Sequence, residues 1–168
     1  GNIFSFSPDS QSLVFSAEKL QQQHLFIYNF TRHRLTRIKV ALDEVTSPNF
    51  SPDGQKIIFS GLKKGYSDIY QIDLNGKNLT RLTNDIYDDT YPLITNDGKG
   101  VIYVSEREKN RYLYRLDLES GETKRITTSG REEIAPFPDV QGQQLYYIGG
   151  DDGIFNVYQL DLGNGQKQ

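Results

Sequence analysis

Acidic side chains dominate what this sequence offers to proton and metal chemistry. It has 22 Asp and Glu residues, 2 His and no Cys. The absence of cysteine removes disulfides, thiolate zinc sites and cysteine nucleophiles. A serine triad needs a base within reach of the nucleophile and a third group to orient it. Neither His24 nor His33 lies near a G-x-S-x-G elbow, and the sequence has none. His24 reads as preceding a strand and His33 as part of a basic outer strand, so both are expected in surface or strand-edge roles. Asp85, Asp88 and Asp89, and again Asp151 and Asp152, are the ligand type hard cations prefer. Their spacing does not place oxygens at alternate positions around a glycine, as an EF-hand loop does. Solvated loop acids and strand caps are the reading preferred for them. No catalytic residue, metal site or cofactor is therefore assigned.

Three further acids are related by position. Glu44, Asp88 and Glu132 recur at intervals of 44 residues, and so does much else. Asp9, Asp53 and Asp97 share that spacing, in Ser7-Pro8-Asp9-Ser10, Ser51-Pro52-Asp53-Gly54 and Thr95-Asn96-Asp97-Gly98. Leu13, Ile57, Val101 and Leu145 form another column; Phe15, Phe59, Tyr103 and Tyr147 a third; Phe26, Tyr70, Tyr114 and Tyr158 a fourth. A repeat of this length with no helical period indicates a supersecondary unit that buries its face against its neighbours.

Each unit reads as four short strands. The first spans about 47–51 and leads into Pro52-Asp53-Gly54, where Pro presets φ, Asp caps its own turn and Gly accepts positive φ. The second, 56–61, is apolar enough for burial on both faces. The third, 68–74, ends at Asn75-Gly76, with Ser120-Gly121 and Asn164-Gly165 later, and a polar fourth strand covers 78–83. Four-stranded units of this size are β-propeller blades. The fold expected is all-β, a propeller of four-stranded antiparallel blades over 1–168. About four blades are present, at roughly 3–46, 47–90, 91–134 and an incomplete 135–168. A β-sandwich with regular turns is the competing architecture.

In such a fold the first strand lines a central channel. Glu44, Asp88 and Glu132, read as three residues ahead of that strand, would form an arc of negative charge at its mouth. The arc would suit a cation such as calcium or a basic segment of a partner; the alternative is that each acid caps a turn locally, with Thr46 or Thr90. Longer connections between second and third strands are expected on the same face. Tyr66, Tyr87, Tyr91, Tyr112 and Phe155 are its exposed-aromatic candidates, the residue type enriched at hot spots.

The SPDG turn, the run Ile57-Ile58-Phe59-Ser60, Asp68-Ile69-Tyr70 and Leu79-Thr80-Arg81-Leu82-Thr83 resemble the TolB-like WD-repeat family over essentially the whole sequence. The resemblance implies a non-catalytic scaffold that binds a protein or peptide in the periplasm or cell envelope of a bacterium. Because such blades also gate prolyl-oligopeptidase-like and tricorn-like hydrolases, an accessory propeller of a larger hydrolase is the alternative, and a small-ligand or sugar-binding propeller a third. TolB itself is expected to place an α/β domain ahead of six blades, and this sequence shows neither.

Nineteen Lys and Arg against the 22 acids give a net charge of −3, which argues against nucleic acid as the partner. The basic run from Arg32 to Lys39 fits an edge strand charged against aggregation. No apolar run approaches the about 18 residues of a membrane span, and the start lacks a signal pattern. The sequence begins within a first strand and stops within a fourth. It is therefore expected to be a mature or excised piece of a larger propeller, whose open ends would invite self-association, with a closed four-bladed ring as the alternative.

Overall fold

The computed structural model describes residues 4–19, 21–127, 132–139, 141–151 and 153–163, with Asp151 described by its backbone alone. Leu20, Asp152 and the Asn164-Gly165 turn lie outside the described residues. Within them the chain is all strand and turn. The strands are β1 (Phe4–Phe6), β2 (Ser12–Lys19), β3 (Gln22–Asn29), β4 (Arg34–Ile38), β5 (Glu44–Phe50), β6 (Lys56–Lys63), β7 (Tyr66–Asp73) and β8 (Thr80–Arg81). They continue as β9 (Asp88–Ile94), β10 (Gly100–Arg107), β11 (Asn110–Asp117), β12 (Thr123–Arg125), β13 (Glu132–Pro138), β14 (Gln144–Asp151) and β15 (Ile154–Asp161).

β1 to β4 form one antiparallel meander and β5 to β8 a second. β9 to β12 form a third, and a parallel bridge between Arg111 and Glu132 connects it to β13–β15. The chain divides into two compact units, Gly1–Pro92 and Leu93–Gln168.

The repeated apolar columns explain the sheets. Each blade sets an aromatic residue of its second strand directly opposite one of its third: Phe15 with Phe26, Phe59 with Tyr70, Tyr103 with Tyr114 and Tyr147 with Tyr158. The rings stack, with centroids 5.5, 5.9, 6.0 and 5.6 Å apart. Such pairs add about 0.5–1.5 kcal/mol beyond the area they bury. Gly61 keeps Tyr70 seated: a Cβ there would lie 2.8 Å from the ring and 2.5 Å from Leu42. In the first unit Val14, Leu25, Ile38, Val45, Ile57, Phe59 and Ile72 close around this stack as one core.

The SPDG turn performs the chemistry expected of it. Ser51 Oγ donates to Asp53 Oδ1 (2.5 Å), Gln55 N donates to the same oxygen (3.0 Å), and Gly54 takes φ of 68°. Ser7–Asp9 and Thr95–Asp97 repeat the pair.

Three expectations are corrected. The inner strands start earlier, at Glu44, Asp88 and Glu132, and run through a proline. They do so because Ser47, Tyr91 and Ala135, each followed by Pro, adopt φ of 50°, 54° and 51°. In β5 and β13 this residue sits where the register slips, a bulge that absorbs the missing N–H of Pro48 and Pro136.

The connections between second and third strands are tight, not long. Lys64-Gly65 and Glu108-Lys109 both turn with two positive φ values, the geometry that matches strand twist. The fourth strand of the second blade is shorter than 78–83, because Asn78 takes φ of 57° and donates through Nδ2 to Asp73 (2.7 Å), leaving only Thr80 and Arg81 in the ladder.

Candidate binding edge

Because the inner strands open on Glu44, Asp88 and Glu132, these acids sit against the preceding hairpin rather than on a free loop. In the first unit Gln23, near the start of β3, accepts a hydrogen bond from Val45 N through Oε1 (3.2 Å). Ser67, at the equivalent point of β7, donates its N–H to Asp88 Oδ1 (2.8 Å). In the second unit Arg111, again equivalent, donates from Nη1 to Glu132 Oε1 (3.2 Å) and from Nε to Glu106 Oε2 (2.9 Å). Gln23, Ser67 and Arg111 therefore form a latch column that holds the start of the next inner strand. Glu44 is half-buried and pairs in register with Leu62. Within the first unit the inner strands are also linked deeper in, where Asn49 Nδ2 donates to Pro92 O (2.9 Å).

The positions following two of these acids are internal. Asp89 and Glu133 are fully buried, where blade two has Val45. Thr127 Oγ1 donates to Glu133 Oε2, and Leu113 N donates to both Thr127 Oγ1 (3.1 Å) and Glu133 Oε2 (3.2 Å). In the first unit Ile69 N donates to Thr83 Oγ1 (2.9 Å). Thr83 and Thr127, just past β8 and β12, thus tie the third strand's backbone in their blades.

A third column carries cations. Arg81 Nη2 lies 2.5 Å from Asp68 Oδ2, a carboxylate with no exposure. Arg125 stacks its guanidinium 3.4 Å above the centre of Tyr112 and donates through Nε to Thr127 O. Burial holds the Asp68 carboxyl above its ordinary range although Arg81 pulls it down. Tyr147 is pushed up by burial and then by Glu133. His24, expected at the surface, lies inside β3 and is buried. Burial, followed by Arg37, Lys39 and Lys19, depresses its pKa, so neutral imidazole is favoured.

The aromatic candidates separate. Tyr66 begins β7 and is 47% exposed, and Phe155 in β15 is also exposed. Tyr87 is half-buried and its N–H caps Asp85 (2.9 Å). Tyr91 is the left-handed residue before Pro92, within β9 rather than in a loop. Tyr112 lies in β11 beneath Arg125. Among the described residues no three His, Cys, Asp or Glu side chains group to hold a metal ion. Asp85 and Asp88 cap backbone N–H groups instead. The accessible groups are Tyr66, Asp88 and Asp43, which accepts from Lys64 N at the hairpin tip (3.2 Å), in the first unit, and Arg111 with Glu132 in the second.

The proline column, the latch column and the buried acids and threonines (Asp89 and Glu133, Thr83 and Thr127) were missed in the sequence. All three keep the 44-residue interval, so aligning Pro48, Pro92 and Pro136 would have revealed the first.

Repeated antiparallel meanders, with left-handed residues before the inner-strand prolines and Ser-x-Asp or Thr-x-Asp turns, define a β-propeller of SPDG-type blades. Residues 4–168 match the TolB beta propeller domain, and the chain belongs to that family. It is similar to TolB from Acinetobacter baumannii, with 26% identity, TM-score 0.87, and coverage of 98% of this chain and 42% of that one. The Agrobacterium tumefaciens protein assigned as TolB superposes with TM-score 0.89 at 20% identity, over all of this chain and 64% of its own. A puromycin hydrolase shares the fold at 17% identity, TM-score 0.79, over 98% of this chain and 27% of its own. The chain thus spans less than two thirds of these proteins. A search of curated proteins finds no match.

Proposed function

We propose that this chain is a non-catalytic propeller scaffold of the bacterial cell envelope that binds a basic segment of a protein or peptide partner. Within a unit, the segment would dock where a hairpin tip meets the start of the next inner strand. The observation that carries the reading is the division of labour among ionisable groups. The buried ones, Asp68 and Glu133, are committed to the blades' own Arg81, Thr127 and backbone N–H groups. In the first unit the accessible acids Asp43 and Asp88 hold backbone N–H groups of the hairpin that carries exposed Tyr66, and in the second Glu132 pairs with Arg111. Acids that are fixed by backbone or arginine partners but still face water suit recognition of a cation-bearing peptide more than proton transfer. The envelope setting is supported by the 26% identity to Acinetobacter TolB.

Fluorescence anisotropy with a labelled lysine-rich peptide and a glutamate-rich control tests the reading. Binding of the first alone is expected, weakening with salt because exposed charge pairs are screened within about 10 Å at 0.1 M. Combined reversal of Glu44, Asp88 and Glu132 to Lys should abolish it. Equal binding by the triple variant would refute the site.

A further inference from the structure

The outer strand β4 is a long sheet edge in a fold that keeps its outer edges short. Its five residues, Arg34–Ile38, pair with β3 on one side and, among the described residues, with no strand on the other. β8 and β12 reach only two and three residues, and a very short edge strand is already blunted against pairing. β4 is not blunted in that way. Every second residue of an antiparallel edge strand directs its N–H and C=O outward, unpaired. Blades pack on each other through their faces, so this outer edge owes nothing to what lies beside the first blade.

The same edge carries charge that the repeat does not require. Between Phe30 and Leu42 lie Arg32, Arg34, Arg37 and Lys39 and no acid, in a chain of net charge −3. Arg32, Arg34 and Lys39 align with Gly76, Asn78 and Thr83 in the second blade, and with Ser120, Glu122 and Thr127 in the third. Those blades therefore form without the three cations. Arg37 does have counterparts, but they are committed, Arg81 to the buried Asp68 and Arg125 to the ring of Tyr112. In the first blade the position of Asp68 and Tyr112 is held by buried His24, so Arg37 meets no acid of its own blade there. Arg34, Arg37 and Lys39 are all exposed.

We propose that β4 takes up an extended acidic peptide as a fifth strand of the first blade. Main-chain hydrogen bonds along the edge supply affinity, and pairing of carboxylates with the cations supplies choice of partner. The register sets the spacing of the acids. Arg34 lies opposite Asn29 and Arg37 opposite Phe26, so the two cations project from opposite faces of the sheet, about 10 Å apart along the strand. A partner strand with acids at i and i+3 and β-branched residues between them places one carboxylate beside each, because directly opposed side chains pair across strands. A glutamate-rich run has the charge but poor strand propensity, and it fits the edge less well. This site takes the opposite charge from the hairpin-tip site proposed above, and neither reading rests on the other.

Fluorescence anisotropy of the 168-residue chain with the labelled octapeptide Thr-Val-Glu-Thr-Val-Glu-Thr-Val reads the binding, and a dissociation constant below about 200 µM is expected. Two further octapeptides of the same sequence carry N-methyl groups at alternate residues, in opposite phase. One phase removes the N–H groups that meet β4 and should bind at least tenfold more weakly, whereas the other should bind as the parent does. Arg34→Asn combined with Lys39→Thr installs the residues of the second blade and should weaken the parent peptide at least tenfold. Absence of binding, equal affinity for the two phases, or an unchanged double variant would each overturn the proposal. Displacement of the peptide by octathymidylate as readily as by unlabelled peptide would overturn it too, making the edge a general polyanion surface. Circular dichroism checks folding, and Arg34→Gln, at an exposed position, replaces the double variant if that melts early.

Discussion

Replacing Thr127 by Val keeps the side chain's shape and removes one oxygen from a fully buried cluster. In the wild type that oxygen donates to Glu133 Oε2 and accepts from Leu113 N. Leu113 N keeps its second acceptor, Glu133 Oε2 at 3.2 Å, so the backbone donor is not orphaned. The loss is one hydrogen bond to a carboxylate that has no exposure. Hydrogen bonds to charged groups contribute about 1.5–3 kcal/mol. For a chain of this size each kcal/mol moves the melting temperature by about 2–4 °C, which gives a fall of about 3–12 °C. Far-UV circular dichroism melts and urea titrations followed by tyrosine fluorescence are suitable, since the chain has 11 Tyr and no Trp. A cycle with Glu133→Gln isolates the pair, and a coupling of about 0.5–3 kcal/mol is expected for groups in contact. A coupling indistinguishable from zero would refute the claim that threonine and acid act together.

Two further outcomes follow from the turns. The Ser51 hydroxyl, with Gln55 N, holds the Asp53 carboxyl below its ordinary value. Its folded pKa is thus below its unfolded one, so the stability it contributes is complete above about pH 4 and is lost as pH falls through the folded value. Asp53→Asn should therefore lower stability at neutral pH and flatten its decline below pH about 4 in urea titrations; an unchanged acid limb would contradict this. At the β10–β11 hairpin, Lys109 takes φ of 65° without being glycine. The left-handed conformation costs a non-glycine residue about 1–2 kcal/mol, so Lys109→Gly should raise the melting temperature by a few degrees. A fall would show that the side chain contributes more than the strain costs.

The sequence alone determined the repeat, the strand count per blade and the SPDG turns. All of these are local: residues within one turn satisfy each other, as Ser51, Asp53 and Gln55 do, and the apolar columns need only a fixed interval to be recognised. It also placed Glu44, Asp88 and Glu132 in one column, though not at the first residue of each strand. What the tertiary structure decided involves partners distant in sequence or a backbone conformation that residue type conceals. Thr127 and Glu133 look like ordinary surface polar residues until Leu113, on another strand, is brought between them. Arg125 covers Tyr112 only because β12 pairs with β11, which takes that ring out of the set of exposed aromatics. Pro48 argues against a strand until the left-handed Ser47 before it forms a bulge.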